Sequence, residues 1–181
     1  MPKLRDNRRV EENQVSFRFE PIKAADLSRL HDWLNKPHVA ERWGGTKSIG
    51  EVKEDYFSAD GDEHVDRYIV CCDDTEIGYI QSYKAIPREG WWDGENAQVP
   101  GTVGIDFFIG EPEYLDKGIG AEMIKAFVKH LLLNASVTRV ISDPSPDNPR
   151  SIRCLEKAGF HKVRQIVTPD GAAMLMETKQ R

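Results

Sequence analysis

The run "TVGIDFFIGEPEYLDKGIGAEMIKAFVKHLLLN" constrains the fold more than any other stretch of this 181-residue chain. Its first part is almost continuously apolar, bounded by glycines and interrupted by a single carboxylate, Asp106. A run of that kind predicts a central strand. The last part places Ile124, Phe127, Val128, Leu131 and Leu132 on one stripe, with Glu122, Lys125 and Lys129 facing away, and so predicts a long amphipathic helix. Gly118 and Gly120 lie between the two. Glycines at a helix mouth let backbone approach a ligand closely, and the unpaired N–H groups of the first turn carry partial positive charge. The spacing predicts a pyrophosphate cradle, although a tight strand-to-helix turn also asks for a glycine. Ala121-Glu122 stand where a Walker loop needs Lys-Ser/Thr, and the dinucleotide fingerprint lacks its third glycine.

The flanking text supplies the remaining elements. "SFRFEPI" alternates like a half-buried strand. Asp26 is placed to cap a helix carrying Leu27, Leu30 and Leu34, which Pro37 stops, and "HVAERWGGTKS" reads as a shorter helix running into a loop. "DRYIVCC" and "IGYIQSYKA" form a hairpin around "DDTE". After the long helix, which Asn134 can close, "VTRVISD" is a strand. "PDNPRSIRCLEKAGF" is a helix with Asn148 as N-cap, Pro149 at its first position and Gly159 past its end. Two strands around "TPDG" finish the chain. The predicted order is strand, two helices, hairpin, central strand, helix, strand, helix, two strands. Residues 1–14 read as a polar, frayed lead and 15–181 as a single domain.

Composition bounds the function. With 39% hydrophobic and 30% charged residues the chain is a folded globular domain. A net charge of −5 argues against nucleic-acid or anionic-membrane partners, which select basic faces, and suits a cationic one. Cys71, Cys72 and Cys154 offer neither a disulfide framework nor a CxxC metal spacing, so they read as reduced thiols in a cytoplasmic protein. No apolar run approaches the ~18 residues of a membrane span, and no signal-peptide core precedes the domain.

The pairing of "DKGIGAEMIKAF" with "DPSPDNPRSIRCLEKAGF" resembles the GNAT superfamily of acyl-CoA-dependent N-acyltransferases. Within it, "WLNKPHVAERWGG", "IGYIQSY", "EGWWDGE", "GIDFFIG" and "TPDGAAM" are similar to the aminoglycoside 6'-N-acetyltransferases. The resemblance implies an α/β (α+β) GNAT fold, with a central mixed, mostly antiparallel twisted sheet flanked by helices. It also implies acetyl-CoA as acyl donor, no metal, a polycationic aminoglycoside as acceptor, and a monomer or homodimer. Carried over residue by residue, it puts the donor against Phe108, Ile109, Lys117, Gly118, Ile119, Gly120, Ala121 and Asn148. The strand backbone around Phe107 to Ile109 would polarise the thioester carbonyl. Two positions depart from the pattern: Leu115 replaces the Arg or Gln that opens the loop motif, and Leu155 replaces the tyrosine that many members use as general acid. Tyr114 lies in the loop instead.

Acyl transfer to an amine requires the amine to lose its proton and the developing oxyanion to be stabilised. Asp106 is the leading catalytic carboxylate, because an idle carboxylate in a central strand carries a desolvation cost of several kcal/mol. The resemblance gives the same position to the carboxylate nearest the amine. Asp143 either contacts the acceptor's amines or opens an Asx turn before Pro144, and Asn148 is an N-cap, a pantetheine ligand or both. On the acceptor side stand Glu89, Asp93, Asp106, Asp143 and Asp170 for ammonium groups, Trp43, Trp91 and Trp92 for stacking and cation–π contact, and Gln81. The competing enzyme reading is a siderophore-type lysine N-acyltransferase, a branch that typically has histidine at Asp106. Polyamine or protein-lysine acetylation and a non-catalytic acyl-CoA sensor complete the alternatives.

Overall fold

A computed structural model describes residues 15–58, 64–85 and 99–179. Among the described residues seven strands form one sheet: β1 (Phe17–Pro21), β2 (Val65–Cys72), β3 (Thr75–Lys84), β4 (Thr102–Ile109), β5 (Arg139–Ser142), β6 (His161–Thr168) and β7 (Gly171–Lys179). Their spatial order is β1-β2-β3-β4-β5-β7-β6, and β4–β5 is the one parallel pair. The predicted central strand, β4, is fourth of the seven, and the expected mixed, mostly antiparallel sheet is present.

Helices cover both faces, because β4 alternates two apolar sets. On one side Ile105 packs with Met123, Ile124 and Phe127 of α4 (Ile119–Leu132) and with Ile152 and Leu155 of α5 (Pro149–Lys157). On the other, Phe108 packs with Leu30, Trp33 and Leu34 of α1 (Leu27–Leu34) and Val52 of α3 (Ile49–Phe57).

The amino-terminal half holds one more helix than the sequence reading expected. Pro37 does not simply end α1, which stops at Leu34; it sits at the first position of α2 (Pro37–Ala40), where its missing N–H costs nothing. The missed helix, α3, carries a full capping box: Ser48 Oγ accepts from the Glu51 N–H, and the Glu51 carboxylate accepts from the Ser48 N–H. Asp26 makes no side-chain cap for α1. Its carboxylate turns back to the Lys23 N–H at 2.8 Å and to Arg29 at 2.9 Å, bracing a 3-10 turn ahead of the helix. Asn148 caps α5 as expected, accepting from the Ser151 N–H at 3.1 Å.

The end of β4 is fastened from α1. Glu111 accepts from Trp33 Nε1 at 2.6 Å and from Lys36 Nζ at 2.7 Å, while the indole lies flat against Gly110. A methyl at position 110 would land inside that ring. Gly110→Ala is therefore expected to destabilise the domain by about 1–3 kcal/mol through overpacking, measured as a shifted midpoint in chemical denaturation. An unchanged midpoint would show that the Trp33 contact tolerates the methyl.

Candidate active site

β4 and β5 pair over only three residues each, ending at Gly104 opposite Ile141. Beyond that point the β4–β5 pairing ends, and one lateral edge of β4 has no strand partner among the described residues. The direction of its peptide groups follows from one bond: the Gly110 N–H donates to the Ile77 carbonyl on β3 at 2.8 Å. In a trans peptide the preceding carbonyl points the opposite way. The Ile109 carbonyl thus lies on the open edge, where it accepts from His38 Nε2 at 3.0 Å. Strand alternation puts Phe107 and Ile109 on that edge and Phe108 toward β3, where it pairs with Tyr79. Phe108, expected against the donor, therefore turns its backbone toward β3 and away from that edge. Its side chain is buried in the α1–α3 core and its backbone belongs to the β3 ladder, so Phe107 and Ile109 present the amides that have no strand partner among the described residues.

The glycine loop stands beside this gap. Gly118 has φ +81°, a left-handed conformation that favours glycine, and caps α4 with no side-chain partner. The first intrahelical bonds run from Ala121 and Glu122 to the Gly118 carbonyl. The Ile119 and Gly120 amides head the helix without an intrahelical acceptor, as an anion cradle requires. Gly120 has a packing reason as well: a Cβ there would sit 2.8 Å from Cys154 Sγ, so the residue lets α4 approach α5. Ala121 is buried and offers only its backbone, and Lys117 is exposed next to the turn. Arg150 of α5 pairs with Asp116 in this loop. Asn148 uses its oxygen as a cap and keeps its amide N–H groups for other acceptors.

A cleft of about 680 Å³ opens at the separation of β4 and β5. Trp43, Asp106, Asp143, Asn148 and Asp170 all line it, so five residues singled out from widely spaced text meet there. Gln81 sits directly opposite Asp106 in the β3–β4 register and donates to Asp106 Oδ2 at 2.9 Å, while its own oxygen accepts from the Tyr79 hydroxyl at 2.7 Å. Trp43 does two things. Its ring packs edge-on against Phe108 at 4.9 Å between centroids, and it also faces the cleft. Glu89, Trp91, Trp92 and Asp93 lie outside the described residues.

Sequence reasoning missed Tyr83 and Arg42, which line the same cleft. Tyr83 was findable: Tyr79, Gln81 and Tyr83 alternate along β3 and share the face that looks at Asp106. Gly104 carries no Cβ because the Tyr83 ring occupies that space. Arg42 left no comparable signal, since only the fold brings it to the cleft.

Desolvation shapes the electrostatics. Burial raises the Asp106 pKa to about 6, against the lowering effect of the Gln81 hydrogen bond and with a further push from Asp170. Burial and then the Asp106 charge raise Asp143 to about 8. Two carboxyls this close ionise in sequence as a pair. Within the pair, the Gln81 hydrogen bond favours the charged form of Asp106. Cys154 is pushed up to about 11 by burial and stays a thiol. Leu155 is fully buried, and Tyr114 packs against the α4 core.

Among the described residues there is no cluster of potential metal ligands. A model of the acetyltransferase (GNAT) domain matches residues 23–168. The chain is 41% identical over 161 residues to an aminoglycoside N(6')-acetyltransferase type 1 of Klebsiella pneumoniae, covering 86% of this chain and 79% of that protein. Identity to the N(6)-hydroxylysine O-acetyltransferase of Escherichia coli is 28% over 162 residues, covering 86% of this chain and 49% of that one. The crystal structure of aminoglycoside acetyltransferase AAC(6')-Ib with coenzyme A and kanamycin superposes with a TM-score of 0.84 at 36% identity, covering 91% of this chain and 95% of that one. The open edge of β4, the left-handed glycine cap of α4 and these matches agree: the chain belongs to the GNAT acetyltransferase family.

Proposed function

We propose that this chain transfers an acetyl group from acetyl-CoA to the 6'-amine of an aminoglycoside, by direct attack in a ternary complex. One observation carries the acceptor assignment: Asp106, Asp143 and Asp170 converge in a single cleft that opens onto the free edge of β4. Three carboxyls at one mouth suit an acceptor bearing several ammonium groups. The likeness to aminoglycoside N(6')-acetyltransferases supports the same reading.

When bound, acetyl-CoA supplies a thioester carbonyl for the amine to attack. The residues present fit it: the Ile119 and Gly120 amides for a pyrophosphate, the Asn148 amide and the β4 edge for an extended arm. Asp106 binds the acceptor's ammonium and takes its proton at Oδ1, the oxygen left free by Gln81. The Phe107 and Ile109 N–H groups, past the last β5 pair, are the donors for an oxygen gaining negative charge. An ammonium beside Asp143 would favour its charged form, so that Asp143 and Asp170 together hold neighbouring ammonium groups, and Trp43 offers a ring face at the same mouth. Glu89, Trp91, Trp92 and Asp93 belong to the acceptor side on the sequence reading. The same proposal makes the protein a cytoplasmic resistance enzyme, acting as a monomer or homodimer.

CoA release measured in parallel with kanamycin, tobramycin, a lysine derivative and a histone-like peptide tests the assignment. Turnover of the aminoglycosides is expected, and turnover of the lysine derivative alone would overturn it. Asp106→Asn should lower kcat/KM at pH 7 by roughly 10²-fold or more; wild-type turnover would remove Asp106 from the chemistry.

The pH profile of kcat/KM should rise through a step near 6 as Asp106 ionises. Asp143→Asn is expected to keep that step, because Asp143 is still protonated when Asp106 loses its proton. Raised folded-state pKa values also affect stability. The neutral carboxyl's contribution is complete below the ordinary carboxylate value and is lost as pH rises through about 6 and about 8. Asp143→Asn should therefore raise the melting temperature above a pH of about 8 and leave it nearly unchanged near about 4. A uniform shift at all pH values would show that burial, and not charge, sets the effect.

A further inference from the structure

Arg42 is the one cation among the described residues that line a cleft otherwise carrying Asp106, Asp143 and Asp170. A positive side chain there opposes an acceptor built from ammonium groups, unless something holds it aside. Two carboxylates do so. Arg42 reaches across to Asp147, 105 residues away in sequence, at 3.2 Å, and pairs with its neighbour Glu41 at 3.1 Å. Asp147 is itself oriented by the Ser145 hydroxyl, which donates to it at 2.7 Å. The pair joins the residues after α2 to the loop between β5 and α5, the two lips of the cleft. Exposed ion pairs add little stability. What the geometry decides is the place of a charge.

We propose that Arg42 is a specificity-determining residue: a built-in cation at the acceptor mouth that Asp147 holds out of the path, so that the two together set how strongly the cleft favours polycationic acceptors. The proposal rests on the aminoglycoside reading above. An acceptor with several ammonium groups feels the Arg42 charge more than one with a single amine, since each added charge contributes its own repulsion. Asp147 limits that repulsion by keeping the guanidinium on the lip. Loss of Asp147 releases the cation toward the three carboxyls, where it competes with the acceptor for them.

The test is a double-mutant cycle read as acceptor KM at saturating acetyl-CoA. Wild type, Arg42→Gln, Asp147→Asn and the double variant are compared on kanamycin, tobramycin and 6-amino-6-deoxyglucose, a sugar with one amine. Arg42→Gln should lower KM for both drugs by about three- to tenfold and for the single-amine sugar by less than about twofold. Asp147→Asn should raise KM for the drugs in the wild-type background and by a smaller factor once Arg42 is gone. These differences should contract in about 0.5 M salt, which screens the lip. A higher drug KM in Arg42→Gln, a change confined to the KM of acetyl-CoA, or an equal Asp147→Asn effect in both backgrounds would overturn the proposal. If the wild type turned over neither drug, the acceptor assignment and this proposal would fall together. Drug turnover with KM values blind to acceptor charge would overturn this proposal alone.

Discussion

The separation of β4 from β5 after Gly104 and Ile141 is the constraint on which the rest of the site depends. Inside a sheet each backbone N–H and C=O is committed to a neighbouring strand, and an uncommitted group in a buried setting is costly. The fold keeps β4 rigid on one edge, where seven residues stay in register with β3, and opens the other. Side chains and helix packing hold the open end in place: His38 takes the Ile109 carbonyl, and Glu111 ties the following turn to Trp33 and Lys36. The result is a fixed row of backbone donors beside the glycine cap of α4. Preorganised donors of this kind stabilise developing charge without having to move.

The same opening decides the electrostatics. Asp106 sits on the face of β4 shared with Phe108, where α1 and α3 cover the apolar part of the sheet and leave the carboxylate at the rim. Burial raises both Asp106 and Asp143, and the Asp106 charge raises Asp143 further, so the two carboxyls resist ionising together. Gln81, itself oriented by Tyr79, favours the charged form of Asp106. Arg42 and Asp147 extend this arrangement to the lip. A net charge of −5 thus says little by itself; what matters is the short distance over which three of the acids are gathered.

Much of this was legible in the sequence wherever chemistry is local. The period of α4, the N-cap at Asn148 and the left-handed glycines Gly118 and Gly159 can be read because each depends on residues within a few positions. The capping box at Ser48 and Glu51 was equally local, and α3 went unread because its apolar stripe is short, with Val52 its only buried residue. The edge used by the Phe108 backbone went unread for a different reason: an apolar run buried on both faces does not say which lateral edge each amide uses. That depends on the partner strand and its register. Gly120 likewise has a neighbour, Cys154, that no local pattern reveals.

The sequence by itself determined every strand, the helices other than α3, their order, the glycine turn ahead of α4 and the isolation of Asp106 in an apolar strand, because periodicity, capping and burial cost act within one element. Only the tertiary structure decided that β4 parts from β5, that Phe107 and Ile109 face the gap, and that Asp106, Asp143 and Asp170 share one mouth with Tyr83 and Arg42. These facts depend on contacts between residues tens of positions apart. Such contacts are set by how strands register and helices pack, and the local spacing of a sequence carries no record of that distance.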